Sequence, residues 1–469
     1  MRSGRTFAAL LLGLAGMAHA ESDLHLPPVT RATLDNGLKV LIAEYHELPL
    51  VEFYLMVGAG AAQDPEDRAG LAALTAATLT HGAGEYNAQE LARAIEGLGG
   101  KLAAAAGTDG TIASAEFLAP DFSAGLELLR QVLLEPRFTR DEVRRAREEQ
   151  AAALVAQLEN LNGIADQCFS AFLYRHHPYG RPVEGRRTTV PDLGRSDVRD
   201  FYDRWYRPNN TLLVLVGDVQ AEQALAQLRG AFGGWKARPD AVPTRAAAPT
   251  SVAGRRVLLV DKPDATQTQL RMGNLGLKRG DPEYIPAVVA NTPLGGGFTS
   301  RLVDELRVKR SLTYGAWSQF VARLGGGDFR IGTFTKSPTT VETLKLALSV
   351  ASEYRRRPPA GKELDTAKTF LRGQFALLVE SPDALAAKLA EGEFFGLTAD
   401  ELTTYRTRVA NVTAPQAADV IARRIPDAEN MVIVVVGKGS EIRQPLEEAF
   451  GALQVTTPEG CEELTRGPR

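Results

Sequence analysis

The chain has little cysteine, little histidine, no surplus of charge and no long apolar run, and each shortage removes a class of protein. Two cysteines in 469 residues, Cys168 and Cys461, are too few for a disulfide scaffold. They could pair in an oxidising compartment, but nothing in their spacing demands it. Histidines number six, and none follows His177, so the second half has no imidazole to bind a metal or carry a proton. The 54 basic residues are matched by 57 acidic ones, which argues against nucleic acid or an anionic membrane surface as a partner. No segment approaches the ~20 consecutive apolar residues of a membrane-spanning helix. What holds such a protein together is its hydrophobic core, and at this length two or more domains are expected.

The N-terminus combines Arg2 and Arg5, an apolar run from Phe7 to Met17, and Ala18-His19-Ala20 before an acidic stretch. This pattern predicts a signal peptide over residues 1–20, cleaved after Ala20, and an exported, periplasmic chain with no membrane span once mature. Beyond it the sequence repeats itself. Val40-Leu41-Ile42 resembles Val257-Leu258-Leu259, and Asp64-Pro65-Glu66 recurs as Asp281-Pro282-Glu283 at the same offset. "NTLLVLVGDV" from Asn210 is echoed by "NMVIVVVGKG" from Asn430. Each half opens on a strand pair, passes through amphipathic helices and closes on an apolar strand ending in Gly. The expectation is an α+β protein of two homologous sandwich domains, each a mainly antiparallel sheet packed against helices. The first covers 21–238, a Pro- and Ala-rich linker 239–256, and the second 257–469. Helices are predicted at Gly70 to Leu79, Ala88 to Leu98, Asp121 to Leu134 and Arg140 to about Leu161, and "RHHPYGRPVEG" from Arg175 is a loop.

"LDNGLKVLIAE" at Leu34, "HPYGRPVEG" at His177, "FYDRWYRPNNTLLVLVGDV" at Phe201 and the stretch Asn291 to Ser318 resemble, in this order, the pitrilysin/insulinase family of zinc peptidases. The resemblance spans essentially the whole mature chain and implies two halves arranged as a clamshell. Catalytic members carry His-x-x-Glu-His on a helix, two imidazoles one turn apart with a glutamate between them as general base, and a further Glu downstream as third ligand. By register with Gly70-Leu71-Ala72, the histidine positions fall on Ala73 and Ala77 and the glutamate on Ala76, while the third ligand falls on Ala153. Alanine offers no donor atom, so the resemblance implies a degenerate zinc site and no metal held by this chain. Adjacent His176 and His177 point apart in regular structure and suit a loop better than a chelate. His81 suits a helix C-terminus.

The stretch "NTPLGGGFTSRLVDELRVKRSLTYGAWS" places three glycines before a charged helix. It lacks the Lys-Ser/Thr of a phosphate loop and the buried strand that precedes one. Local roles explain much of it: glycines to end a helix and turn, Thr299 or Ser300 to cap the next, Leu302 and Leu306 to face the core. Arg307 and Tyr314 are left over. They match the family's Arg-x6-Tyr pair, which contacts substrate from the second half, and a guanidinium and a phenol can both donate to a peptide carbonyl. The resemblance is to the non-catalytic subunit type found among bacterial proteins like mitochondrial processing peptidase. It implies a zinc-bearing homologous subunit as heterodimer partner, with extended peptide as the substrate of the pair. Two other readings remain open: an inactive peptide-binding or assembly scaffold of the same fold, and a free-standing enzyme with an unrecognised site.

Overall fold

The computed structural model describes residues 26–237, 247–250 and 253–466. The expected leader at 1–20, and residues 239–246, 251 and 252 of the expected linker, lie outside the described residues. The first half runs β1 (Val29–Thr33), β2 (Lys39–Glu44), β3 (Leu50–Val57), α1 (Leu71–Leu79), α2 (Ala88–Gly97), β4 (Lys101–Ala106), β5 (Thr111–Leu118), α3 (Phe122–Leu134), α4 (Arg140–Ala156), α5 (Leu161–Tyr174), α6 (Arg195–Trp205), β6 (Thr211–Gly217) and α7 (Ala221–Phe232). The second runs β7 (Arg256–Asp261), β8 (Thr268–Leu275), α8 (Tyr284–Gly295), α9 (Arg301–Val303), a π-helical turn (Asp304–Lys309), β9 (Ala316–Val321), β10 (Asp328–Thr335), α10 (Thr340–Arg356), α11 (Gly361–Leu377), α12 (Pro382–Phe394), α13 (Glu401–Ala410), α14 (Ala414–Arg424), β11 (Val432–Gly437), α15 (Gly439–Phe450) and β12 (Gln454–Thr456).

Two six-stranded sheets result, ordered β1-β2-β6-β3-β5-β4 and β12-β7-β11-β8-β10-β9. The repeat read from sequence is the repeat of these sheets: β2 pairs in parallel with β6, β7 with β11, and β3–β5 and β8–β10 are antiparallel. Most pairings are antiparallel, as expected; the parallel ones are β2–β6 and β7–β11, which join the opening and closing strands of each repeat, and β7–β12 at the edge of the second sheet. β4 and β9, equivalent in the two repeats, both end as edge strands.

Helix α4 stops at Ala156, five residues short of the predicted end, and a 3-10 turn Gln157–Glu159 follows. Asn160 then starts a new helix, its Oδ1 accepting from Gly163 N at 3.1 Å. "ENLNG" supplies this punctuation, because Asn competes for backbone donors and favours caps over helix interiors.

The two helices that finish the sheets are exchanged. Helix α5, from the first half, packs on β8 and β11 of the second sheet. There Cys168, Phe169 and Phe172 are buried against Leu258, Val260, Val434 and Val436. Its repeat counterpart α12 packs on β3 and β6 of the first sheet, where Leu385, Ala386 and Leu389 meet Leu41, Ala43, Leu212 and Val214. Each sheet is therefore covered on both faces, which explains why β6 and β11 are apolar throughout instead of alternating. Cys168 is bonded to Cys461, so α5 is also tied to the C-terminal 3-10 turn Glu459–Thr465.

Beneath α12 lies a charged residue in an apolar setting. Glu52 on β3 is 5% exposed and opposes Glu116 across the β3–β5 ladder. Burial, with Glu116 and Asp383 nearby, pushes its pKa up from 4.5 to about 8. The protonated form is thus the one that folding favours. That contribution is complete below pH 4.5 and is lost as pH rises through about 8. Glu52→Gln is expected to raise Tm above that of the parent at pH 8 and to leave it unchanged below pH 4.5; equal shifts at both pH values would contradict this assignment.

Candidate functional site

Helix α1 begins where the first copy of Asp-Pro-Glu stands. Asp64 Oδ2 accepts from Gly70 N and its Oδ1 from Ala72 N, both at 2.8 Å, so the carboxylate satisfies first-turn donors of α1. Burial nevertheless raises its pKa to about 7 against the pull of these donors. Gly70 adopts φ 98, and a Cβ there would sit 2.8 Å from Glu184 O, so this turn requires glycine. In the second copy, Asp281 Oδ1 accepts from Glu283 N at 3.0 Å just before α8.

Helix α1 packs against α4, α6 and the edge strand β4. Ala73, Ala76 and Ala77 are spaced to share one side of it. Ala76 is 1% exposed, Ala73 half-buried and Ala77 exposed, while Ala153 is exposed on the neighbouring α4. The fold thus brings together the two helices that carry the four alanines, and these side chains do not fit zinc: none has a lone pair to give. Among the described residues no group of three or more His, Cys, Asp or Glu is placed to hold a metal ion. His177 is employed structurally, its Nδ1 accepting from Tyr179 N at 3.1 Å and its Nε2 lying 2.6 Å from Ala247 O. His81 follows α1 and lies 3.5 Å from Glu142 Oε2 of α4, and burial lowers its pKa.

The stretch Asn291 to Ser318 closes on itself. Asn291 Nδ2 donates to Ser318 O at 2.8 Å and Ser318 Oγ donates to Asn291 Oδ1 at 2.6 Å, clipping α8 to β9. The glycines differ from expectation in detail. Gly295 still belongs to α8, and its role is close approach: a Cβ there would lie 2.3 Å from Ser318 N. Neither Gly296 nor Gly297 uses a left-handed backbone. Ser300 takes the cap position before α9, but its hydroxyl makes no hydrogen bond. Leu302 and Leu306 are buried, as expected.

Arg307 lies in the π-helical turn, exposed, and Tyr314 lies in the loop before β9, 80% exposed. Lys309 is held by Asp304 at 2.8 Å and Glu305 at 2.6 Å. Among the described residues Arg307 forms no ion pair or side-chain hydrogen bond. The loop is fixed from below: Thr335 Oγ1 donates to Leu312 O at 2.7 Å, and Thr333 Oγ1 to Gly315 O at 2.9 Å.

One junction escaped the sequence reading. Tyr179, in the "HPYG" turn, donates to Asp109 Oδ1 at 2.7 Å and accepts from Gly325 N at 2.8 Å, joining the β4–β5 turn to the β9–β10 turn. Its partners lie 70 and 146 positions away, so no local pattern could announce it.

Comparison with known proteins agrees with this arrangement. The family model "Insulinase (Peptidase family M16)" matches residues 39–187, and "Peptidase M16 inactive domain" matches 192–371. An uncharacterized zinc protease of Mycobacterium leprae is 26% identical, covering 78% of this chain and 82% of its own. A Helicobacter pylori protein named non-peptidase homolog YmxG is 24% identical, covering 73% and 78%. Among solved structures, a peptidase M16 inactive domain from Pseudomonas fluorescens superposes with a TM-score of 0.82 at 29% identity, covering 87% of this chain and 98% of that one. A Helicobacter pylori protease shares the fold, with a TM-score of 0.81 at 19% identity. With two matching sheets and both family models, the chain belongs to the insulinase (M16) peptidase family, and it has alanine at all four positions where the metal ligands and the base were expected.

Proposed function

We propose that the chain is the non-catalytic subunit of an exported heterodimeric metallopeptidase, offering Arg307 and Tyr314 to a peptide whose hydrolysis belongs to a zinc-bearing homologous partner. The observation that carries this reading is the pair itself: two exposed donors, Tyr314 on a loop anchored by Thr333 and Thr335 and Arg307 on the π-helical turn before it, the arginine without an ion partner among the described residues. Exposed guanidinium and phenol groups suit binding of a peptide carbonyl, and the fixed backbone beneath Tyr314 limits the ordering needed on contact to the side chains. The neighbouring edge strand β9 leaves main-chain donors and acceptors that an extended peptide can pair with in a sequence-tolerant way. Export is supported by the leader-like N-terminus and by the Cys168–Cys461 bond, which suits an oxidising compartment.

Mixing the purified chain with a homologue that carries His-x-x-Glu-His is expected to produce cleavage of a quenched fluorescent peptide that neither chain cleaves alone. A stable complex without cleavage would instead favour the scaffold reading. The chain alone, equilibrated with zinc and desalted, is expected to hold well under one metal per molecule by elemental analysis. Stoichiometric zinc would overturn the four-alanine reading and revive an independent enzyme.

A further inference from the structure

A cleft of ≈ 250 Å³ lies where α5, the loop Gly180 to Glu184, the β4–β5 turn and the second sheet meet. Thr108, Ser170, Arg181, Arg323, Arg330 and Asp166 line it. Most of its charges are already matched. Asp166 accepts from Arg271 Nε at 2.7 Å and Nη2 at 3.3 Å, and Asp328 accepts from Arg330 at 2.6 and 2.9 Å. Glu184 stands at the rim, exposed to solvent.

Arg181 and Arg323 are different. Arg181 Nη1 donates to the main-chain Asp64 O at 2.8 Å, while its Nε is buried without a hydrogen-bond partner. Burial lowers the pKa of this guanidinium, with Asp64 and Glu66 only partly opposing the shift. Arg323 is packed over the rings of Tyr174 and Tyr179, 5.1 and 5.0 Å from their centroids. Its Nη1 is buried without a hydrogen bond, and the nearest carboxylate oxygen, on Asp328, is 4.0 Å away. Buried charged donors left unpaired are costly, and folded proteins rarely keep them without a ligand or another service. Both are also held still, Arg181 by Asp64 O and Arg323 by the two rings, of which Tyr179 is itself fixed by Asp109.

We infer that this cleft binds a small oxyanion, a carboxylate or a phosphate, between Arg181 from the first half and Arg323 from the second. The size fits one such group with little attached, since pockets for drug-sized molecules run from about 300 Å³ upward. Arginine is the residue suited to the planar, bidentate recognition of these groups. The ligand touches both halves, so its binding strengthens the contact between them. The inference is independent of the peptidase-partner reading and holds or fails on the isolated chain.

Calorimetric titration of the full chain with inorganic phosphate, with a short peptide as its free acid and with the same peptide as its C-terminal amide tests it. Saturable one-site binding is expected for phosphate or the free acid, weakened at least about tenfold by Arg181→Gln or Arg323→Gln. Binding should be unaffected by Arg144→Gln on the outer face of α4. Preference for the free acid over the amide identifies a chain terminus as the source, and binding of phosphate alone identifies a free anion. Ser170→Leu, which fills the cleft without removing a charge, should abolish binding even if the arginine variants fold poorly. No heat with any ligand, binding of the amide as tight as that of the free acid, or binding that survives Ser170→Leu would overturn the proposal.

Discussion

Arg307→Ala is expected to lower kcat/KM of the mixed assembly by about 100-fold, and Tyr314→Phe by a comparable factor, if the two side chains donate to the carbonyl under attack. Losing one preorganised donor to a developing negative charge typically costs 10²–10³ in rate, and the effect falls on kcat. A pair that merely gripped the peptide would raise KM and leave kcat unchanged, so the division between the two constants separates the roles. Arg307→Lys should recover only part of the loss, because the planar fork is absent. The double variant should lose less than the product of the two single losses, since both donors serve one oxygen. Neither side chain supports the core, Tyr314 being 80% exposed, so Tm should not move. Full activity in both single variants would remove them from the site.

The second large effect concerns Cys168 and Cys461, separated by 293 positions. Closing so long a loop removes much of the freedom of the unfolded chain, and the chain-entropy relation gives about 6 kcal/mol for a loop of this order. Cys168→Ala with Cys461→Ala, or reduction of the native bond, is therefore expected to lower the denaturation midpoint substantially. The bond does not act alone on the C-terminal turn: Arg186 Nη2 donates to Thr465 Oγ1 at 2.6 Å and Arg187 pairs with Glu462 at 3.3 Å. The turn should stay docked in the reduced protein while global stability falls, so hydrogen exchange at Glu459–Thr465 should change less than the midpoint does. A midpoint unaltered by reduction would show that other contacts already restrict the unfolded chain.

The outline of the fold was legible because periodicity and repetition are local signals. The strands at Val40 and Val257, the apolar closing strands and helices α1, α2 and α3 follow from residue spacing that each segment carries by itself. The break at Asn160 was missed because apolar spacing runs through it, although its Asn and Gly marked the cap. The exchange of α5 and α12 had no local signal, since an apolar face records that it must be covered and not by which partner. The same limit hid Tyr179, whose partners come from turns far along the chain. The register given to Ala73, Ala76 and Ala77 rests on Gly70-Leu71-Ala72, and in the fold Asp64 and Gly70 fix where that helix starts. The exposure of Arg307 and Tyr314 depends on a π-helical turn whose register no sequence period announces.

The exchange of α5 and α12 bears on how such a duplicated chain can come about and move. A single ancestral copy would have left one sheet face bare, a surface that a second copy could cover by lending its own helix. Once fused, the two copies can no longer part without uncovering Leu258 and Val434 on one side and Leu41 and Val214 on the other. Separation of the halves is thereby opposed by two apolar seats, one on each sheet.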